Sequence, residues 1–300
     1  MKRFGIVALL MLFVLAGCYP APTPPTSVPT VDTGVDPEAW ALIPAGPFLM
    51  GPHKEEAVID YDYEMMVTDV TNAQFARYLN EALASGAVKL TDEGIVAYYP
   101  GDPFDGYDHE REIKAGDWLQ YPVNHPDAKI VYENGTFTVK PGFENHPVTM
   151  VTWFGAKGYC EYYGWRLPTE KEWEKAARGT DGRAYPWGNE ITEANANYYK
   201  SRDPFEKYLG GLGETTPVGF YNGGTYLGFQ TEDSPSPYGL YDMAGNVWQW
   251  TADDYKKTHL RYLRGGSRSD YAYDLRVWTR NSAGPDYYSP SIGFRCARDR

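Results

Sequence analysis

The run R-G-G-S-R-S-D-Y-A-Y-D-L-R-V-W-T-R-N, Arg264 to Asn281, concentrates guanidinium forks, phenols and carboxylates and holds no thiol and no imidazole. Forks such as Arg264, and Arg295 further on, can bond several loop carbonyls or a buried carboxylate at once, so both are expected to be structural. Tyr271, Tyr273, Trp278, Tyr287 and Tyr288 beside Arg276 and Arg280 could line a pocket for a polar aromatic ligand. The same residues would equally make a loop-rich surface held by cation–π stacking and Arg–Asp pairs, and their types leave both readings open.

Familiar catalytic patterns fail elsewhere in the chain. His109-Glu110 lacks the second histidine of a zincin, because position 113 is Ile113. Asp102, Asp105 and Asp108 are close together, but an EF-hand counted from Asp102 would put Tyr107 at the glycine position and Ile113 at the glutamate. There is no P-loop and no serine nucleophile elbow, and the five histidines are too scattered to suggest a metal site. A standard hydrolase is not indicated.

The elements that must position these side chains are short. Thr71 with Gln74 three residues on predicts a capping box opening a helix over Asn72 to Ala84. A second helix is expected over about Trp153 to Tyr163, stopping at Gly164. A third opens at Thr169 with Glu172, ends at Gly179, and buries Trp173, Ala176 and Ala177. Asn134-Gly135 between 129–133 and 136–139 is a hairpin signal, preferred to its reading as a glycosylation sequon. Trp248 and Trp250 are expected in the core. The chain has 31 glycines and 23 prolines spread throughout, which implies many loops. Residues 38–300 read as one domain, with a surface-elaborating insertion at about 86–145.

Residues 1–17 have a basic start and an apolar run too short to cross a bilayer, ending in Leu15-Ala16-Gly17 before Cys18. This resembles a bacterial lipobox, with Cys18 lipidated and residues 18–37 a proline-rich spacer. The expected location is the bacterial cell envelope, anchored through Cys18 and facing outside the cytoplasm. Loss of Lys2 and Arg3 would leave 26 basic residues against 40 acidic ones, net −14. Such a surface repels phosphates and argues against a nucleic-acid partner. The remaining cysteines, Cys160 and Cys296, form either one disulfide, favoured in an oxidising compartment, or two buried thiols.

Several runs are specific in combination: Ile43-Pro-Ala-Gly-Pro-Phe-Leu-Met-Gly51, Gly164-Trp-Arg-Leu-Pro-Thr-Glu170, Tyr185-Pro-Trp-Gly-Asn189, Tyr238-Gly-Leu-Tyr-Asp-Met-Ala-Gly-Asn-Val-Trp-Gln-Trp250, Arg264-Gly-Gly-Ser267 and Gly293-Phe-Arg-Cys296. In this order, over nearly all of residues 40–298, they resemble the formylglycine-generating enzyme, or sulfatase-modifying factor, family. The resemblance implies a C-type-lectin-like α+β fold, loop-rich with little regular secondary structure, and a disulfide between Cys160 and Cys296. It implies structural calcium held by Asn197, the Tyr198 carbonyl, Asp203 and the Phe205 carbonyl, against the alternative of a plain Asp-Pro turn. A second calcium would use Asn246 and Gln249, where many relatives have glutamate.

Active relatives carry a cysteine pair, five positions apart, just after R-G-G-S, whose thiolates bind copper. The matching positions here fall at Asp270 and near Ala272, so copper is not expected and formylglycine generation by that chemistry is disfavoured. The resemblance then admits a lipid-anchored, non-catalytic binding or assembly module for an unknown protein or small molecule. It also admits an oxidase acting on a protein or small metabolite through another site, or formylglycine generation through an unrecognised one.

Overall fold

In a computed structural model the described residues are 28–104, 106, 111–208, 213–255 and 258–300. The leader at 1–17, Cys18, most of the proline-rich spacer, Asp105, Asp108, His109 and Glu110 lie outside them. The chain opens with β1 (Trp40–Ile43), the hairpin of β2 (Gly46–Met50) and β3 (Glu55–Ile59), β4 (Tyr63–Met66) and helix α1 (Asn72–Ser85). A three-stranded sheet of β5 (Lys89–Leu90), β6 (Ile95–Tyr99) and β7 (Gly116–Tyr121) precedes the hairpin of β8 (Ile130–Glu133) and β9 (Thr136–Val139). Helices α2 (Trp153–Tyr162) and α3 (Glu170–Arg178) follow, then the small pair β10 (Thr225–Tyr226) and β11 (Phe229–Gln230). The closing strands are β12 (Trp248–Asp254), β13 (Arg261–Arg264), β14 (Arg280–Ala283), β15 (Ile292–Gly293) and β16 (Ala297–Asp299).

Local chemistry sets the element ends. Thr71 accepts from Gln74 N while the Gln74 side chain accepts from Thr71 N, and Thr169 with Glu172 repeats this capping box on α3. α2 begins at Thr152, whose side chain accepts from Gly155 N, and ends at Tyr162, a residue earlier than expected. The β8–β9 turn needs positive φ at both central residues, and Asn134 (53°) and Gly135 (84°) supply it.

β12 is central to the sheet ordered β14-β13-β12-β15, pairing antiparallel with β13 and parallel with β15. β16 returns to pair with β4, closing the C-terminal segment onto the N-terminal sheet. The main core gathers Phe75, Tyr78, Tyr159, Phe294 and Trp250 around the Cys160–Cys296 disulfide, which spans 136 residues of sequence. A second cluster sets Trp173, Ala176 and Ala177 of α3 against Ile43, Phe48 and Tyr63. The segment over 86–145 does more than decorate the surface, because Ile95, Tyr121, Ala128 and Ile130 are fully buried in the main core. No helix among the described residues is long and apolar enough to cross a membrane.

Candidate ligand cleft

The frame of the site is a buried ion network between α3 and β13. Arg264 and Glu174 are inaccessible, and Arg264 donates to Glu170, to Glu174 Oε2 at 2.7 Å and to the Val277 carbonyl. Glu174 also accepts from Arg178 at 2.8 Å and from Gly51 N at 2.6 Å, and Arg280 donates to Glu170 at 2.6 Å. The Arg264 guanidinium lies 5.1 Å from the Trp173 ring. Arg295 has the same kind of role, bonding Gln249, Asp69 and the carbonyls of Met66, Val67 and Tyr241. Both arginines therefore serve as the expected forks.

On this frame, the segment after β13 turns back over the sheet and makes one wall of a cleft of about 700 Å³. Trp248 and Ile292, register partners on β12 and β15, line it together with Leu263 and the 281–283 stretch of β14. Ser267, Ser269 and Asp270 come from the segment after β13, and Asp286, Tyr287, Ser289 and Ser291 from the β14–β15 loop. Arg111 reaches in from the 86–145 segment and pairs with Asp286 at 2.8 Å. Asp270 is firmly held: its Oδ2 accepts from Ser267 N at 2.9 Å, from the Ser267 hydroxyl and from Trp248 Nε1 at 2.8 Å. Gly245, whose N–H donates to the Gly265 carbonyl, cannot be replaced, because an added Cβ would lie 2.4 Å from the Asn197 carbonyl oxygen at a φ of +83°.

Of the two positions expected to stand where relatives have cysteine, Asp270 lines the cleft and Ala272 does not. Ala272 starts a 3-10 turn, Ala272–Leu275, and its carbonyl accepts from the Tyr185 hydroxyl. The residue five positions after Asp270 is Leu275, fully buried against Tyr185, Ala196 and Ala244. Neither sulfur of the disulfide is in the cleft lining.

The tyrosine–arginine cluster is mostly a surface. The 3-10 turn points Leu275 inward, and Tyr271 and Tyr273 are both 65% exposed. Arg276 stacks on Tyr273 at 4.4 Å and lies 5.7 Å from Trp278, which also receives Arg178 at 5.2 Å. Arg280 is committed to Glu170, and Tyr288 is half-buried near His125. Tyr287 alone of the seven proposed pocket residues lines the cleft. The serines, Asn281, Arg111 and Asp286 were missed. Ser267, Ser269 and Asn281 lie within the Arg264–Asn281 run without being singled out, and the others come from separate segments with no pattern of spacing. A second cleft, of about 870 Å³, lies beside Trp153, Asp102 and Arg261, where Arg261 packs 4.2 Å over the Trp153 ring and pairs with Asp102 at 2.6 Å.

The two calcium sets fare differently. Asp203 is 4% exposed, accepts from Ser201, Phe205 N and Tyr221, and has no ion pair among the described residues. Burial raises its carboxyl above the ordinary value, against the pull of those hydrogen bonds. A buried carboxylate without a counter-charge suits a hard cation, and the Asn197 amide and the Tyr198 and Phe205 carbonyls are oxygen donors of the matching kind, although each of the two carbonyls already accepts one backbone N–H, from Ser201 and Tyr208. The Asp-Pro turn forms as well, with Asp203 capping Pro204–Lys207. The second set does not fit. Gln249 is inaccessible, and its amide oxygen already accepts from Trp173 Nε1 at 2.7 Å and Arg295 Nε at 2.9 Å. Asn246 likewise accepts from Thr216 N at 3.0 Å and donates to the Thr216 carbonyl. With its lone pairs spent on fixed N–H donors, Gln249 acts as a structural bridge rather than a cation ligand.

Fold and cleft together define an α+β domain of the formylglycine-generating type, loop-rich and C-type-lectin-like. Residues 27–300 match the family model described as the sulfatase-modifying factor enzyme 1-like domain, and the chain belongs to that family. It is 31% identical over 283 residues to the serine/threonine-protein kinase pkn1 of Chlamydia caviae, covering 86% of this chain and 37% of that protein. It is 40% identical over 159 residues to the inactive C-alpha-formylglycine-generating enzyme 2 of Bos taurus, covering 50% of each. The chain thus spans only about a third to a half of these relatives' lengths. Among solved structures, PvdO from Pseudomonas aeruginosa shares the fold with a TM-score of 0.56 and 23% identity, over 87% of this chain and 94% of that one.

Proposed function

We propose that this chain is a lipid-anchored, extracytoplasmic binding or assembly module of the formylglycine-generating enzyme family, whose cleft beside Asp270 holds a ligand instead of performing copper-thiolate oxidation. The observation behind this reading is Asp270 itself, a carboxylate fixed by Ser267 and Trp248 in the wall of the cleft. One hard oxygen donor cannot replace the two soft thiolates that Cu(I) chemistry requires. The remaining cysteines support the same reading, being joined to each other in the core. The bovine relative whose name marks it inactive is consistent with a family that tolerates loss of activity.

Purified chain supplied with Cu(I) and oxygen is expected to leave a sulfatase-motif cysteine peptide unconverted by mass spectrometry; turnover would overturn the non-catalytic reading. The anchor is tested separately: labelled palmitate should enter the wild type and not Cys18→Ala, and equal labelling would remove it. For calcium, we infer one structural ion at Asn197, Tyr198, Asp203 and Phe205. EDTA is then expected to lower the melting temperature by several degrees, roughly what a ligand well above its dissociation constant contributes. Calcium should restore it, and an unchanged melting curve would count against the ion.

A further inference from the structure

We propose that the cleft over β12 and β15 recognises an alkyl ammonium group, with Asp270 as its counter-charge; this rests on the reading of that cleft as a ligand site. Three charged side chains line it, Arg111, Asp270 and Asp286. Arg111 and Asp286 neutralise each other at the rim, 2.8 Å apart. Asp270 has no ionic partner among the described residues, so the described lining carries one uncompensated negative charge. All three hydrogen bonds to the Asp270 carboxylate fall on Oδ2, and Oδ1 accepts none among the described residues.

That asymmetry selects the cation. A guanidinium binds best through two parallel N–H bonds to both carboxylate oxygens, and here one oxygen is already saturated. An ammonium is a point charge that needs a single strong acceptor and fills its other N–H positions with neutral oxygens. Hydroxyls are at hand in Ser269, Ser289 and Ser291; Ser269 and Ser291 pair at 3.4 Å and Ser289 accepts from Ser291 N, and a serine oxygen with two lone pairs keeps room for one more N–H. Next to them the partly exposed Leu260 offers apolar surface for a methylene stem, while the half-exposed ring of Tyr287 adds a face that attracts cations. Anions are disfavoured by the same uncompensated charge.

Two sources carry this chemistry, a free alkyl amine and a lysine side chain on a peptide. Calorimetry on the purified full chain would compare cadaverine, an acetyl-glycyl-lysyl-glycinamide peptide, and pentanediol as the neutral twin of cadaverine. At least one amine probe is expected to bind about tenfold or more tighter than the diol, as loss of one charge-assisted contact implies. Whichever amine binds tighter names the source. Asp270→Asn keeps an acceptor for Ser267 and Trp248 and is expected to remove that preference. Tyr287→Ala, on an exposed ring, should weaken the amine a few-fold without altering the melting temperature. Equal binding of diol and amine, an unchanged preference in Asp270→Asn, or no binding of either amine would overturn the proposal. These failures, with the cysteine peptide still unconverted, would leave the module reading standing; turnover of that peptide would overturn the module reading instead.

Discussion

Replacing Arg264 with alanine is expected to lower the stability of this domain by about 3–5 kcal/mol, the usual loss when one partner of a buried ion pair is removed. The guanidinium is inaccessible and donates to two carboxylates and a carbonyl, joining α3 to β13 and to the segment that builds the cleft. Without it, Glu174 keeps Arg178 and Glu170 keeps Arg280, but Glu174 Oε2 loses its hydrogen bond inside the core and is left with Arg280 at 4.0 Å. For a domain this size the melting temperature should fall on the order of 10 °C. Arg264→Lys should recover little, since one ammonium cannot reproduce a fork serving several acceptors. A thermal melt of Arg264→Ala within a degree or two of wild type would refute the role assigned to the network.

The second large effect belongs to the disulfide. Cys160 sits on α2 and Cys296 just before β16, so the bridge ties the middle of the chain to the strand that closes the N-terminal sheet. A closed loop with a separation of 136 residues should, in the chain-entropy model, stabilise the fold by about 5 kcal/mol. The double variant Cys160→Ala and Cys296→Ala is expected to lose roughly that amount, with some addition from the small cavity left beside Tyr159 and Phe294. Denaturant titration would show a lower midpoint, and non-reducing mass spectrometry of the wild type should recover the Cys160–Cys296 peptide pair. Free thiols in the native protein, or a double variant as stable as wild type, would show that the bridge does not hold the fold.

How far the sequence could be read follows from the range of each interaction. The capping boxes at Thr71 and Thr169 and the Asn134-Gly135 turn are contacts within a few residues, and each appears where local chemistry places it. The family motifs carried the fold class and the pairing of the two cysteines. The tyrosine–arginine run was legible as two alternatives only, because its periodicity could not reveal that a 3-10 turn buries Leu275 and leaves Tyr271 and Tyr273 outside. The resemblance offers Gln249 as a second-calcium ligand, and nothing local announces that Trp173 and Arg295, far away in the chain, both donate to its oxygen.

What the sequence by itself determined was the three helices, the Asn134-Gly135 hairpin and the family. Those depend on residue types and on neighbours along the chain. Only the tertiary structure decided that Asp270 is clamped by Ser267 and Trp248, that Arg111 crosses from a distant segment to neutralise Asp286, and that four separate stretches enclose one cleft. In a chain whose loops are held by buried arginine forks, the position of a charge is set by long-range pairing, and a site built from such charges exists only once the fold has closed.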